Sequence, residues 1–135
     1  MLKVKILTVG KCKESWLEEA LREYELRMKS HCTIEWLLAK EEKQLATWAQ
    51  KESELIALDL HGQLVSSEEL SKKLSLYGAR ISFLIGGAEG IPPNVHPKWR
   101  WSLSPLTFTH QMTRLILLEQ LYRSLEIERG SKYHK

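Results

Sequence analysis

Hydrophobic positions along this chain alternate between two periods, one typical of strands and the other of helices. Short apolar or β-branched runs alternate with stretches in which apolar residues recur every three or four positions. The short runs predict strands over residues 3–9, 33–38, 54–60, 80–85 and 99–103. The periodic stretches predict helices over residues 15–30, 41–51, 66–78 and 109–127.

Local residues predict where several of these elements begin or end. Ser15 and Glu18 have the spacing of a capping box, in which a hydroxyl and a carboxylate satisfy the first free amides of a helix. Ser66 and Glu69 repeat that spacing at the start of the third helix. Gly78 suits the end of the same helix, because glycine adopts left-handed backbone freely.

Strands that alternate with helices pair in parallel through right-handed crossovers. The sequence therefore predicts a single α/β domain over residues 1–135, with a parallel sheet of about five strands and helices on both faces. Strand 54–60 is apolar on both faces, which is typical of a central strand under helices. It is expected to end in a turn at His61 and Gly62.

Composition places the chain among soluble globular proteins. Of its 135 residues 43% are hydrophobic and 27% charged, and no apolar run approaches the roughly 20 residues of a membrane span. The first residues alternate apolar and basic side chains without a signal-peptide core, so a cytoplasmic protein is expected. Cys12 and Cys32 stand outside any Cys/His cluster, which predicts reduced thiols and no metal site. The net charge of +3 permits a polyanionic partner without requiring one.

The carboxyl ends of the predicted strands carry the candidate ligand loops, because ligands of parallel α/β sheets bind there. These loops are residues 58–62, 86–90 and 102–110. The second, Gly86-Gly87-Ala88-Glu89-Gly90, contains glycines that let backbone approach a ligand closely. It matches neither the dinucleotide fingerprint GxGxxG nor a P-loop, and a plain tight turn explains it equally well.

The loop over residues 102–110 combines hydroxyls, a proline and apolar side chains before the longest helix. Its backbone groups are suited to bind the edge of an adenine ring, with its leucines and phenylalanine covering the ring. The alternative is an ordinary capped connection in which Thr107 or Thr109 accepts from the helix amides. His110 has the side chain of an acid or base, although a histidine in a first helical turn is commonly a packing residue.

The end of the chain carries charges and rings that also occur in RNA-binding proteins. Arg129, Lys132 and Lys135 are cations of the kind that contact phosphate. Tyr133 and His134 carry rings that can stack on bases. Because most chain ends fray, a tail without function is the alternative.

Several segments carry a resemblance to a known family. They are FLIGGAEG at residues 83–90, SLSPLTFTHQM at 102–112, RLILLEQLYR at 114–123 and RGSKYHK at 129–135. With these segments the whole chain resembles the ribosomal RNA large-subunit methyltransferase H family of the SPOUT class. The resemblance implies a trefoil-knotted α/β fold, a homodimer and S-adenosylmethionine as methyl donor. It also implies methylation of N3 of a pseudouridine in the helix 69 hairpin of 23S rRNA, on the assembled ribosome.

The resemblance also assigns residues to the site. Its cofactor contacts correspond to Leu58, Gly86, Leu103, Ser104, Pro105, Leu106, Thr107 and Phe108, within the three loops described above. Its terminal motif corresponds to Tyr133, His134 and Lys135, which are expected to reach the substrate in the partner's active site. His134 is then a candidate base for the imide proton and Tyr133 or Arg129 a candidate positioning group, with solvent as the alternative proton acceptor.

Two other classes of function are also considered. A non-catalytic RNA-binding or nucleotide-sensing α/β module would have the same fold without the chemistry. A dinucleotide-binding fragment is disfavoured, because GxGxxG is absent and the chain is short. The apolar face of helix 109–127 is wide enough to cover a sheet and a partner subunit, which agrees with the implied homodimer.

Overall fold

The computed structural model describes residues 1–134 and confirms the predicted alternation of strands and helices. Its strands are β1 (Leu2–Val9), β2 (Cys32–Ala39), β3 (Leu55–Leu64), β4 (Arg80–Ile85) and β5 (Trp99–Ser102). Its helices are α1 (Ser15–Met28), α2 (Glu42–Ala49), α3 (Ser67–Ser75) and α4 (His110–Arg129). Each element lies where the hydrophobic periods predict it, and β4 has the predicted ends, whereas each of the other elements differs at one or both ends.

The strands form one parallel sheet in the order β2-β1-β4-β3-β5. β4 lies at the centre, where Ile81 is opposite Val4 of β1 and Phe83 is opposite Ile56 of β3. Because all the pairings are parallel, the carboxyl ends of β3, β4 and β5 meet at one edge of the sheet. The candidate loops are therefore neighbours in space.

Helices cover both faces of the sheet, as predicted. α1, α3 and α4 pack on one face through buried residues such as Leu17, Leu70 and Leu118. α2 packs on the other face through Leu45 and Ala49. Each face has its own apolar core, and removal of this surface from water is the main force that holds the helices on the sheet.

β3 continues beyond the turn predicted at residues 61–62. It pairs with Trp101 of β5 at Leu58 and again at Gln63, and the residues between these two points leave the ladder. A Cβ atom on Gly62 would collide with the β5 backbone, so glycine is what allows β3 to return to its neighbour. The prediction of a strand end here is wrong, because the turn is a bulge inside a longer strand.

Two of the predicted helix caps are confirmed. The Ser66 hydroxyl accepts from the Glu69 amide at 3.1 Å, and the Glu69 carboxylate accepts from the Ser66 amide at 2.9 Å. Together they form the expected capping box of α3. Of the two candidate threonines Thr109 caps α4, because its hydroxyl accepts from the Met112 amide at 3.1 Å.

Two other predicted caps are wrong. The N-cap of α1 is Glu14, so Ser15 is already helical and does not serve as the cap that a box with Glu18 requires. α3 ends at Leu76 with right-handed backbone and short-range amide-to-carbonyl bonds in its last turn. A left-handed cap is then unnecessary, and Gly78 does not have a positive φ.

Candidate functional site

A cleft of about 650 Å³ opens at the carboxyl edge of β3, β4 and β5. Its walls come from the three candidate loops at residues 58–62, 86–90 and 102–110. The expected cofactor residues that line it are Leu58, Gly86, Leu103, Ser104, Leu106, Thr107 and Phe108. Pro105 belongs to the same loop but is exposed and does not line the cleft. His110, at the start of α4, also faces the cleft.

The glycine loop after β4 is shaped by its own close packing. A Cβ atom on Gly86 would collide with the backbone of Gly90. Gly90 has a φ of +79°, which favours glycine, and its amide donates to the Gly87 carbonyl at 3.0 Å. The tight turn is therefore confirmed, and its residues also line the cleft, whereas their contact with a ligand stays a prediction.

The loop between β5 and α4 is stabilised by its serines. The Ser102 hydroxyl donates to the Ser104 carbonyl at 3.1 Å, and the Ser104 hydroxyl accepts from the Leu106 amide at 3.0 Å. Leu103 and Phe108 are half-buried and offer apolar surface to the cleft. The arrangement supplies what a planar heterocycle needs, namely apolar walls beside backbone donors and acceptors.

The bulge in β3 adds a charged wall that sequence reasoning missed. The Asp59 carboxylate accepts from the Arg100 guanidinium at 3.0 Å and from the His61 amide at 2.9 Å. Burial acts to raise the pKa of Asp59, but these hydrogen bonds outweigh it and lower that pKa below its ordinary value. Asp59 lay within a candidate loop. Arg100 carried no signal, because it is an outward-facing residue of a short strand.

The chain turns back after α4, so that the tail packs on the helix. Gly130 takes left-handed backbone, with a φ of +71°. The Tyr133 hydroxyl then donates to the Glu119 carboxylate at 2.7 Å, and its ring packs edge-on against Tyr122 with centroids 4.6 Å apart. The tail is therefore docked through residue 134, and Lys135, the last residue of the expected motif, lies outside the described residues.

Both ring nitrogens of His134 are engaged. Nδ1 is 3.0 Å from Nη1 of Arg123, and Nε2 is 3.0 Å from the Glu68 carboxylate. A guanidinium can only donate, so Nδ1 accepts a hydrogen bond from Arg123. The ring proton is then on Nε2, which donates a hydrogen bond to Glu68. In this pose the imidazole has no free lone pair with which to act as a base.

Arg129 and the docked tail lie away from the cleft of their own chain. Arg129 pairs with both carboxylate oxygens of Glu126 at 2.8 Å. Glu119, which holds Tyr133, is nine residues beyond His110, or about 14 Å along the helix at 1.5 Å per residue. The structure thus brings the expected cofactor residues together, and it places the tail residues in a separate cluster.

Residues 1–134 contain no group of three or more His, Cys, Asp or Glu side chains that would hold a metal ion. In the same part of the chain, no helix has the length and apolar character needed to cross a membrane. Cys12 and Cys32 are both free thiols. Burial raises the pKa of Cys32 to about 11, so this thiol stays protonated at neutral pH.

Comparison with known proteins identifies the family. The family profile described as "Predicted SPOUT methyltransferase" matches residues 2–134. The chain belongs to the SPOUT methyltransferase family. This SPOUT chain is 51% identical over 140 aligned residues to a protein from Protochlamydia amoebophila named Ribosomal RNA large subunit methyltransferase H, with full coverage of both. A protein of that name from Heliobacterium modesticaldum is 38% identical, and the alignment covers 100% of both chains. Another from Prochlorococcus marinus is 37% identical, and the alignment covers 97% of this chain and 94% of the relative.

The SPOUT family accounts for the parallel five-stranded sheet with helices on both faces. It also implies a trefoil knot. Hydrophobic periodicity carries no information about how one segment threads past another, so the knot was expected only from the resemblance.

Proposed function

We propose that this protein is an S-adenosylmethionine-dependent methyltransferase of large-subunit ribosomal RNA. The observation that carries the proposal is the cleft at the carboxyl edge of the sheet, which brings together the three expected loops in a SPOUT domain. Relatives that match along the full chain are named Ribosomal RNA large subunit methyltransferase H, which supports the same class of reaction.

The lining of the cleft fits S-adenosylmethionine, which combines a flat purine, a ribose and a charged amino-acid end. Leu103 and Phe108 offer apolar surface for the purine, beside the backbone groups of their loop. Asp59 and Arg100 add one negative and one positive group to the lining of the same cleft. The volume of about 650 Å³ is within the range of small-molecule sites.

The finer assignment is N3 of a pseudouridine in the helix 69 hairpin of 23S rRNA, methylated on the assembled ribosome. It rests on the resemblance of the terminal segments, above all RGSKYHK at residues 129–135. The net charge of +3 agrees with a nucleic-acid substrate without selecting one.

The working unit is proposed to be a homodimer, because the tail and the cleft of one chain lie apart. The proposed ribosomal substrate places it in the cytoplasm. Tyr133 and His134 are held beside the middle of α4 and do not line the cleft. If both parts act on one nucleotide, the tail must serve the cleft of a second copy. A two-fold dimer that pairs through α4 would place the tail of each copy at the cleft of the other, and so would form two equivalent sites.

When bound, S-adenosylmethionine supplies a methyl group that its sulfonium centre activates toward a ring nitrogen. The protein's part is then to bind, orient and exclude water. The loops around the cleft hold the donor, and the tail orients the acceptor base. Because Tyr133 donates to Glu119 and both nitrogens of His134 are engaged, we assign these two residues positioning roles. The imide proton then leaves to solvent or to another group of the assembled site.

The decisive experiment is incubation of the purified protein with labelled S-adenosylmethionine and ribosomes from cells that lack the activity. Nucleoside analysis of 23S rRNA should show label in 3-methylpseudouridine. Label in another nucleoside would refute the finer assignment, and cofactor binding with no transfer to rRNA would refute the methyltransferase proposal. Binding of rRNA without turnover would instead support the non-catalytic RNA-binding module.

A further inference from the structure

One carboxylate on α4 connects three parts of the molecule. Glu119 accepts from the Tyr133 hydroxyl at 2.7 Å and from the Tyr24 hydroxyl of α1 at 3.1 Å, both through Oε2. Its other oxygen accepts from Nε of Arg123 at 2.8 Å. Its side chain is 22% exposed, so these partners replace most of the water that a carboxylate otherwise binds. Glu119 is thus a hub between two helices and the tail.

Arg123 extends this hub to the next residue of the tail. Its guanidinium lies over the Tyr133 ring, 4.9 Å from the centroid. Its Nη1 donates to Nδ1 of His134 at 3.0 Å. Because Glu119 binds Nε on the same planar group, it fixes the direction in which Arg123 presents this donor.

Two contacts outside the hub also hold the tail, namely the 3.0 Å hydrogen bond from Nε2 of His134 to Glu68 of α3 and the packing of the Tyr133 ring against Tyr122. The other hydrogen bonds of the tail include the Ser131 amide to the Glu126 carbonyl at 3.0 Å and the Tyr133 amide to the Ser131 hydroxyl at 3.3 Å, between residues close together in the chain. These are local bonds that define the turn and not the position on α4. A short terminal segment without specific contacts would fray. Charge-assisted hydrogen bonds are the strong contacts available to prevent this.

We propose that Glu119 is the positioning residue that docks the C-terminal tail for methyl transfer, acting directly on Tyr133 and through Arg123 on His134. The catalytic consequence rests on the proposed function, whereas the docking itself does not. Glu119 does not line the cleft. Its loss should therefore affect the placement of the acceptor base and leave binding of the methyl donor intact.

The electrostatics of the hub agree with a positioning role. The hydrogen bond to Glu119, with a smaller contribution from burial, raises the pKa of Tyr133 to about 12. The same carboxylate raises the pKa of Arg123. Tyr133 is thus a protonated donor throughout the physiological range, and Arg123 a permanent cation. Neither changes its charge during a reaction near neutral pH.

Docking is tested first, without any substrate. Glu119→Gln keeps the side-chain size, removes the charge and turns one oxygen into an amide that cannot accept from its partner. Glu128→Gln is the matched control, because Glu128 is an exposed carboxylate on the same helix.

Trypsin cleavage after the exposed Lys132, followed by mass spectrometry, reports release of the tail. Cleavage should be at least about tenfold faster in Glu119→Gln than in wild type and in the control. Equal rates in all three proteins would overturn the proposal.

Coupling between Glu119 and Tyr133 is tested with the full enzyme and ribosomes. Glu119→Gln should lower kcat by about 10- to 100-fold, the range expected for a misplaced reacting group, with the Kd for S-adenosylmethionine within about twofold of wild type. In the Tyr133→Phe background, Glu119→Gln should lower kcat by a much smaller factor, because the hydroxyl through which Glu119 acts is gone. Full additivity of the two losses, or a parallel loss of donor binding, would make Glu119 a merely structural residue. A wild-type protein inactive on ribosomes would refute the proposed function and would leave the trypsin result standing.

Discussion

The guanidinium of Arg114 donates a 2.8 Å hydrogen bond to the backbone carbonyl of Gly10. The same Nη2 atom donates to the Val9 carbonyl at 3.0 Å, and the side chain is only 1% exposed. Gln111, one turn earlier, donates to the Lys11 carbonyl at 3.2 Å and accepts from the Lys13 amide at 3.3 Å. The start of α4 therefore holds the loop after β1 in place. This buried cation binds carbonyl dipoles, and burial lowers its pKa.

We expect Arg114→Met to lose about 2–4 kcal/mol of unfolding free energy. Its two hydrogen bonds from a charged donor contribute about 1.5–3 kcal/mol each, and the cost of burying the charge offsets part of that sum. Arg114→Lys should lose less, since it keeps the charge but not the planar group. Urea unfolding at one protein concentration measures both, because association would link stability to concentration. Wild-type stability of Arg114→Met would show that the loop does not need this side chain.

Gly86→Ala should disrupt the proposed cofactor cleft from within. A Cβ atom at this position meets the Gly90 backbone, so the loop has to move and we expect affinity for S-adenosylmethionine to fall at least about tenfold. Gly78→Ala is the matched control: a Cβ there meets nothing within 4 Å, and its φ is not positive. The control should bind normally and be up to about 1 kcal/mol more stable. Calorimetry with equal affinities for both variants would contradict this account of the loop.

Ser66→Ala and Ser15→Ala should differ in stability although the sequence gives both serines the same motif. Ser66 makes both bonds of a capping box, whereas Ser15 lies inside α1. We expect the free energy of unfolding to fall by about 1 kcal/mol in Ser66→Ala and by less than about 0.5 kcal/mol in Ser15→Ala. Thermal or urea unfolding measures the difference. Equal losses would mean that the hydroxyl of Ser66 does not cap α3.

Removal of Tyr133–Lys135 should separate donor binding from methylation. The cleft is lined without these residues, so affinity for S-adenosylmethionine and dimerisation should be nearly unchanged. Methylation of ribosomes should fall by at least about 10²-fold, because the acceptor base loses its positioning groups. Activity within a few-fold of wild type would make the tail a dispensable end. Loss of donor binding as well would place Tyr133 or His134 in the donor pocket.

The ionisation of Tyr133 should be visible in a tyrosinate absorbance titration. Its pKa is raised from 10.0 to about 12, so the stabilisation from its hydrogen bond is present below pH 10 and is lost as pH rises through about 12. Rapid mixing separates this ionisation from slower unfolding. Tyr133→Phe should remove one tyrosine that ionises late in the titration. Glu119→Gln keeps Tyr133 and should shift its ionisation to lower pH. If Tyr133→Phe instead removed a tyrosine that ionises near pH 10, the phenol would not be bound to the carboxylate.

Much of the fold was determined by the sequence alone. Strand 80–85 was predicted with the ends that β4 has, and the run Leu55–Leu58 is nearly all buried because it lies between helices on both faces. Hydrophobic periods report which side chains must leave water, and that is a local property of each element. Once strands alternate with helices, parallel pairing brings the loops after β3, β4 and β5 to one edge. The position of the cleft therefore followed without knowledge of the contacts inside it.

The contacts that shape the site were decided only by the tertiary structure. Asp59 and Arg100 are 41 residues apart, and their pairing depends on a bulge that returns β3 to β5 around Gly62. The docking of Tyr133 on Glu119 depends on how the turn at Gly130 directs the chain back along α4. Periodicity records only whether a residue is buried and not which distant group will meet it, because hydrophobic burial is non-directional whereas hydrogen bonds require specific partners at specific distances.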